Sequence, residues 1–189
     1  FLYFAHAAVH FPLEAKESDI EPHRGRYAMG WDRARLDRFE RQKLMNIVTP
    51  ETRLPSGEED GYDLPKWDSL TSEQQLVFAR YMEVYAAMVE RMDRGIGKIV
   101  GELKKQTPLE NTIVIYLQDN GGCAEGYGRQ NNSDKKDRFK FKAFGPNDLQ
   151  SKIWPPMQTR DGRWVRTGPE TMPGGEDTFV AYGAGWANA

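Results

Sequence analysis

The chain has 189 residues, of which 39% are hydrophobic and 29% charged, so it can bury a real core and still present a charged surface. Its formal net charge of -2 argues against a general nucleic-acid binder, because such proteins need a basic excess to displace phosphate counterions. A single cysteine, Cys123, excludes an intramolecular disulfide framework and a multi-cysteine zinc site, and no run approaches the roughly 20 apolar residues of a membrane span.

The chain opens on an apolar and aromatic run, FLYFA at residues 1–5, of the kind expected for a strand buried on both faces of a parallel sheet. Pro12, Pro22 and Gly25 follow it and indicate loops. The first residue is Phe, and the last residues are GWANA with no polar tail after them. We therefore expect both ends to be truncated and the chain to be an internal fragment of a longer protein.

A short surface helix is predicted over about residues 31–45, WDRARLDRFERQKLM. Trp31, Leu36, Phe39 and Leu44 recur there among charges at roughly helical spacing. Residues 46–67 contain three prolines and several acids, which predicts a long irregular connection.

The strongest helical signal in the chain begins near Ser69. Either Ser69 or Thr71 can cap the start, and Glu73 lies where the helix dipole favours an acid. Apolar side chains then step by threes and fours, with charged side chains largely off the stripe: Phe78, Tyr81, Tyr85, Met88, Met92, Ile96, Ile99 and Leu103. Gly95 and Gly97 weaken this helix locally, and close packing against a neighbouring element is one explanation.

A second strand is predicted at residues 112–117, TIVIYL, which are rich in β-branched side chains and too few for a helix. The order strand, long helix, strand is of the βαβ type and predicts an α/β protein with a parallel or mixed sheet. From Gly121 onward the glycine, proline and charge content rises and periodicity disappears. That region is predicted to be loop-rich, with at most short elements such as residues 164–167.

The residues after the second predicted strand carry the most suggestive chemical pattern. In open α/β sheets, ligands bind beyond the carboxyl ends of the strands, and Asp119 and Asn120 lie at such an end. A carboxylate and an amide carbonyl are hard oxygen donors that suit calcium or magnesium. Asp-Asn-Gly-Gly is also ordinary turn chemistry, since Asn and Gly tolerate positive φ. The local sequence alone favours that plainer interpretation.

The other candidate residues are isolated in the sequence. His10, just past the first predicted strand, could donate a hydrogen bond to an anionic substrate or protonate a leaving group, although a lone histidine is more often structural. His6 and His23 have no identifiable partners, and three histidines without a short repeated spacing do not make a zinc motif. Cys123 has no base beside it and is interpreted as a small buried residue rather than a nucleophile.

Positive charge is concentrated in residues 129–166, the basic segment. It contains ten Lys or Arg and four Asp, a local charge of +6, so the rest of the chain carries -8. This segment could bind an anionic substrate or polymer, but a solvated surface insertion is the plainer interpretation.

Several stretches taken together resemble the arylsulfatase branch of the sulfatases. They are YFAHAAVHFPLEA, RGRYAMGWDRARLDRFERQKLMNIV, YAAMVERMDRGIGKIVGEL followed by LENTIVIYLQDNGGCAEG, and the terminal GWANA. The resemblance covers most of the chain, though only loosely over residues 131–178. It implies an α/β fold, namely part of an alkaline-phosphatase-like sandwich with a mixed, mainly parallel sheet flanked by helices. Residues 1–189 would then be a partial catalytic domain with a loop-rich segment at 129–178.

The resemblance also implies a reaction. Such enzymes hydrolyse sulfate esters with a formylglycine nucleophile, made from a cysteine or serine in a C/S-x-P-x-R motif, and with a divalent cation that is usually calcium. Carried over by position, Asp119 and Asn120 match a pair of metal ligands. His10 matches a histidine that contacts the sulfate ester near its leaving oxygen. The implied partner is a sulfate-ester small molecule or a sulfated glycan, with no nucleic acid.

Departures from the family pattern restrict what this chain can do alone. Val9 and Phe11 stand where proline and tryptophan are frequent, and Cys123 does not lie in a C/S-x-P-x-R setting. The early acidic metal ligands, an upstream lysine and histidine, and a lysine expected beyond GWANA are missing too. We therefore expect the fragment to be inactive by itself. Family habit predicts a periplasmic or secreted parent protein, although these residues include no signal peptide.

Two other functions stay open. A phosphodiesterase or phosphonate hydrolase of the same superfamily would share oxygen-ligated metals and tetrahedral anions, and a threonine at the nucleophile position would favour that phosphoryl chemistry. A catalytically dead relative could instead bind sulfated glycans through the basic segment, in a salt-sensitive way.

Overall fold

The fold is seen in a computed structural model that describes residues 1–10, 13–55, 64–106, 109–123, 143, 145, 147, 158, 161–163, 186–187 and 189. Its helices are α1 (Glu17–Ile20), α2 (Gly30–Leu44) and α3 (Ser72–Gln106), with 3₁₀ turns at Glu21–His23, Trp67–Ser69 and Leu109–Asn111. Apart from a few single positions, the basic segment and the predicted loop-rich region at 129–178 lie outside the described residues, as do residues 164–167. Within the described ranges, no helix combines the length and the hydropathy that a membrane span needs.

Helix α2 confirms the prediction of a short surface helix. It buries Trp31 and Phe39 and leaves most of its charged side chains exposed. The helix ends because Asn46 adopts a φ of 55°, in the left-handed region. The Asn46 amide donates to the Lys43 carbonyl over 3.0 Å and the Ile47 amide to the Gln42 carbonyl over 2.9 Å, so the last carbonyls are satisfied.

Helix α3 confirms the prediction of a long helix, and Thr71 is its cap. The Gln74 amide donates to Thr71 Oγ1 over 3.2 Å while the Thr71 amide donates to Gln74 Oε1 over 2.9 Å, a reciprocal capping box. Close packing does not explain Gly95 and Gly97. A Cβ on Gly95 would meet His6 Cε1 at an ordinary 4.0 Å, and one on Gly97 would meet nothing within 4 Å.

The core lies on the N-terminal half of α3. Its buried hydrophobic members come from the described ranges 13–55 and 64–106 and from residue 186: Leu13, Ile20, Trp31, Trp67, Ala79, Tyr81, Val84, Ala87 and Trp186. Aromatic rings meet edge to face in this cluster, with Trp31 and Trp67 centroids 4.8 Å apart. Two of the indole nitrogens are satisfied, since Trp31 Nε1 donates to the Pro65 carbonyl over 3.2 Å and Trp186 Nε1 to the Phe78 carbonyl over 2.7 Å.

Two charged side chains of α3, Arg80 and Glu83, are buried although they lie off the apolar stripe. Arg80 Nη1 donates to Glu83 Oε2 over 3.3 Å, and Arg80 Nη2 donates to Glu17 Oε2 over 2.6 Å. Glu83 Oε1 also accepts the Gly25 amide over 2.8 Å. Because a buried charge is tolerated only when it is paired and hydrogen-bonded, this network fixes α1 and the following turn on α3.

The predicted sheet is not confirmed. Residues 1–5 and 112–117 form neither helix nor strand, and the expectation that 1–5 is buried is wrong, because Phe1 to Phe4 are all exposed. A helix satisfies its own backbone hydrogen bonds, whereas a strand needs the backbone of a neighbour. The part of the chain that the structure describes offers neither run such a neighbour.

Candidate active site

The predicted site residues lie in exposed segments that are anchored close by on the core. Leu13, only 1% exposed, follows His10 by three positions, and the half-buried Cys123 follows Asp119 by four. Cys123 packs against the same cluster as Leu13, and so does Trp186 of the terminal GWANA stretch. Leu13, Cys123 and Trp186, which belong to three of the stretches that resemble sulfatases, therefore pack on one core. It also agrees with the interpretation of Cys123 as a small packing residue.

His10 lies at the end of a turn. Its backbone amide donates to the Ala7 carbonyl over 2.9 Å, and the residue as a whole is exposed. The segment before it passes beside α3, where the His6 ring stands edge-on to Phe4 with centroids 4.4 Å apart and approaches Gly95. The backbone of this exposed residue is therefore held by a hydrogen bond on one side and by the buried Leu13 on the other.

Asp119 and Asn120 are both exposed and lie in a bend just beyond the TIVIYL run. Asn120 Nδ2 donates to the Gly121 carbonyl over 2.7 Å, so the amide nitrogen is used locally and the side-chain carbonyl oxygen is the atom suited to a cation. Positive φ in the described ranges occurs at Asn46, Gly25, Gly30 and Gly162, and not between residues 119 and 122. The bend is therefore not built on the left-handed conformation that the plainer turn interpretation invoked.

The fit of a cation to these residues can be tested on donor chemistry. Carboxylate and amide oxygens are the ligands that Ca²⁺ prefers, but Ca²⁺ takes 6–8 oxygens, and one Asp with one Asn supplies only part of such a set. Among the residues that the structure describes, no group of three or more His, Cys, Asp and Glu side chains is arranged to hold a metal. Asp119 and Asn120 thus fit a cation as two members of a larger set, and the structure does not assemble them with His10 into a metal centre.

A buried histidine was missed by the sequence interpretation. His23 is 4% exposed, its Nε2 lies 2.8 Å from Glu90 Oε2, and its Nδ1 lies 3.4 Å from Arg26 Nη1. The distance between Nε2 and Oε2 is short, but the two atoms do not meet the geometry of a hydrogen bond, so the contact is electrostatic. A hydrogen bond from Arg94, and then the contact with His23, lower the pKa of the Glu90 carboxyl. No local sequence pattern predicts the contact between His23 and Glu90, because the two residues lie far apart in the chain.

Comparison with known proteins decides the family. The sulfatase family profile matches residues 1–160, which include His10, Asp119 and Asn120. The chain belongs to the sulfatase family. It is 43% identical over 126 residues to an uncharacterized sulfatase of Schizosaccharomyces pombe, a match that covers 67% of this chain and 22% of that protein. It is 37% identical over 128 residues to an arylsulfatase of Klebsiella aerogenes, covering 67% of this chain and 27% of the relative.

A third sulfatase relative is more distant. The N-acetylglucosamine-6-O-sulfatase of Bacteroides thetaiotaomicron is 29% identical over 108 residues, covering 48% of this chain and 18% of that protein. This sulfatase chain thus spans about a quarter of the length of the first two relatives. A complete active site of their size would include many residues outside it.

Proposed function

We propose that the protein hydrolyses sulfate esters and that this chain contributes His10, Asp119 and Asn120 to its active site. The observation that carries the proposal is the sulfatase family match over residues 1–160, which spans all three side chains. The relatives, two sulfatases and an arylsulfatase, support sulfuryl rather than phosphoryl transfer. The substrate is a small sulfate ester or a sulfated glycan, and the complete protein is exported to the periplasm or the exterior.

His10 would act on the leaving group. Hydrolysis breaks the sulfur–oxygen bond of the ester, water supplies the oxygen that sulfate gains, and the departing alcohol oxygen must take up a proton. An exposed imidazole can deliver that proton or hydrogen-bond the developing negative charge at neutral pH. The anchored backbone around His10 supports this role, because it restricts where the residue can lie while the residue itself stays exposed.

Asp119 and Asn120 would hold part of a divalent cation site, with Ca²⁺ as the ion that the donor set fits. When bound, such a cation neutralises charge on sulfuryl oxygens. The nucleophile would be a formylglycine supplied by a C/S-x-P-x-R motif elsewhere in the protein, since this chain has none. The roles that remain for this chain are to present two oxygen ligands on an exposed bend and one imidazole on an exposed turn.

The test is Asp119→Ala in the full-length protein, assayed with p-nitrophenyl sulfate in the presence of calcium. We expect turnover to fall by about 100-fold or more, because loss of a ligand weakens the cation that stabilises charge. Asp93→Ala is the matched control, since Asp93 is an exposed acid on α3, outside the candidate site. Full activity and full calcium affinity in Asp119→Ala would contradict the proposal. Turnover by the purified 189-residue chain alone would contradict the placement of the nucleophile elsewhere in the protein.

A further inference from the structure

Helix α2 carries more positive charge than its own acids balance. It has five cationic and three acidic side chains, and every acid has a partner. Asp32 Oδ2 accepts the Trp67 amide over 2.8 Å, Asp37 pairs with Arg33 over 2.9 Å, and Glu40 pairs with Lys43 over 3.7 Å. Three cations of the helix are left over, namely Arg35, Arg38 and Arg41.

These three arginines form one surface, the arginine face. They are spaced three residues apart, so they lie on adjoining parts of the helix surface. Within the residues that the structure describes, no acidic side chain lies within ion-pairing distance of any of them. The Nε of Arg35 is buried and has no hydrogen-bond partner there. A buried guanidinium nitrogen without an acceptor is costly, so an acceptor from a bound anion would stabilise this position of the described surface.

The electrostatics of the middle arginine agree with this geometry. Partial burial of Arg38, and then repulsion from Arg35 and Arg41, lower the pKa of its guanidinium from the ordinary value. The three charges therefore destabilise one another in the absence of an anion. An oxyanion placed among them would relieve that repulsion and could accept paired N–H bonds from the planar guanidinium groups.

We infer that Arg35, Arg38 and Arg41 bind sulfate groups of a sulfated polysaccharide. From Arg35 to Arg41 the helix rises by about 9 Å, which is more than one sulfate group can span. A chain bearing sulfates on successive sugars fits that length, whereas a small ester would engage only part of the face. The choice of a sulfated polymer rests on the proposed sulfatase function.

The experiment measures binding of a fluorescent heparin hexasaccharide to the 189-residue chain at about 0.15 M ionic strength. The double variant Arg38→Gln/Arg41→Gln changes two exposed positions and should weaken binding about fivefold. The triple variant, which adds Arg35→Gln, should weaken it about tenfold and reduce the slope of log affinity against log salt by about 2 to 3. Circular dichroism checks that each variant keeps its helix content.

Two matched double variants separate the arginine face from general charge. Arg33→Gln/Lys43→Gln removes two cations of the same helix that already have acidic partners, and Lys135→Gln/Lys136→Gln removes two from the basic segment. We expect either to change heparin affinity by less than about twofold, because acids already offset the charges of Arg33 and Lys43 and the inference assigns most of the binding to the arginine face. The inference would be overturned if all three double variants weakened heparin binding equally. Binding of duplex DNA as tight as heparin with the same dependence on the arginines would also overturn it.

Failure of the inference and failure of the proposed function are distinguishable. If the full-length triple variant hydrolyses p-nitrophenyl sulfate normally but the wild-type chain does not bind heparin, the arginine face is refuted and the sulfatase proposal stands. If heparin binding depends on the three arginines but the full-length protein hydrolyses no sulfate ester, the binding surface stands and the catalytic proposal falls.

Discussion

Two apolar parts of the chain end in opposite environments. On α3, Tyr81 and Val84 are 1% and 0% exposed, whereas Ile113 and Leu117 in the TIVIYL run are 89% and 82% exposed. The TIVIYL run is no less hydrophobic than the buried part of α3. Composition alone therefore does not decide which of them is buried.

The difference follows from how each segment satisfies its backbone. Helix α3 makes its own hydrogen bonds, so its apolar face needs only side-chain contacts from α1, the Trp67 turn and Trp186 to leave water. An extended run must instead pair with other strands before its side chains can be covered. Helical packing can be completed within the described residues, whereas the burial of residues 1–5 and 112–117 depends on strand partners that these residues do not supply.

The largest expected effect on stability comes from truncating a buried side chain of α3. Tyr81→Ala should lower the free energy of unfolding by about 3–5 kcal/mol, because it removes a fully buried ring from the core. Leu117→Ala removes a comparably apolar side chain from the exposed run and should change the same quantity by less than about 0.5 kcal/mol. Urea unfolding followed by circular dichroism measures both. A similar loss of unfolding free energy in the two variants would show that Leu117 is buried in solution. The contrast between the buried part of α3 and the exposed TIVIYL run would then disappear.

The helices could be predicted from the sequence because their signals are local. The apolar stripe of α3, its Thr71 cap and the spacing within α2 all involve residues a few positions apart. The buried pairs Arg80 with Glu83 and His23 with Glu90 could not be predicted in this way. Their burial depends on which segments meet, and the two pairs look in the sequence like solvated charges.

The candidate site could be predicted only as separate pieces. A strand end followed by Asp119 and Asn120 indicated oxygen ligands, and the resemblance added His10. Their assembly into one site stays a prediction, because a cation site of this kind takes more ligands than these residues provide. The arginine face was missed as well, since it is recognised only after the acids of α2 have been assigned to Trp67, Arg33 and Lys43.

A smaller effect tests how tightly the packed part is built around Trp67. Gly30 has a φ of 80°, and a Cβ there would lie 2.1 Å from Trp67 Cγ. Gly30→Ala therefore combines backbone strain with a steric clash and should lower the free energy of unfolding by about 2–4 kcal/mol.

Gly25 is the matched control for this substitution. It has a similar φ of 73°, but nothing lies within 4 Å of its Cβ position, so Gly25→Ala should cost only the strain of about 1 kcal/mol. Chemical denaturation of both variants measures how much of the cost of Gly30→Ala comes from the clash with Trp67. Equal costs would mean that the Trp67 ring moves aside freely and that this side of the core is loosely packed.

The smallest expected effect lies at Glu90, where the packed part of α3 gives way to its more exposed end. Its pKa is lowered mainly by the hydrogen bond from Arg94 and less by His23. A lowered pKa in the folded state means that the ionised carboxylate stabilises the fold above the unfolded value of about 4.3, and that this contribution is lost as the pH falls through the folded value. The stability advantage of wild type over Glu90→Gln should therefore be present at neutral pH and shrink as the pH falls below about 4.

Arg94→Gln tests the cause of this pH dependence. Arg94 lowers the pKa of Glu90 more than His23 does. In an Arg94→Gln background, adding Glu90→Gln should therefore change the pH profile of unfolding much less than it does in wild type. In a His23→Gln background, most of the effect of Glu90→Gln should remain. Urea midpoints across the acid range give all the profiles. If the pH dependence survives in Arg94→Gln and disappears in His23→Gln, the buried histidine dominates. The packed part would then extend along α3 as far as Glu90, and the boundary between the two regions would move toward the C-terminal end of the helix.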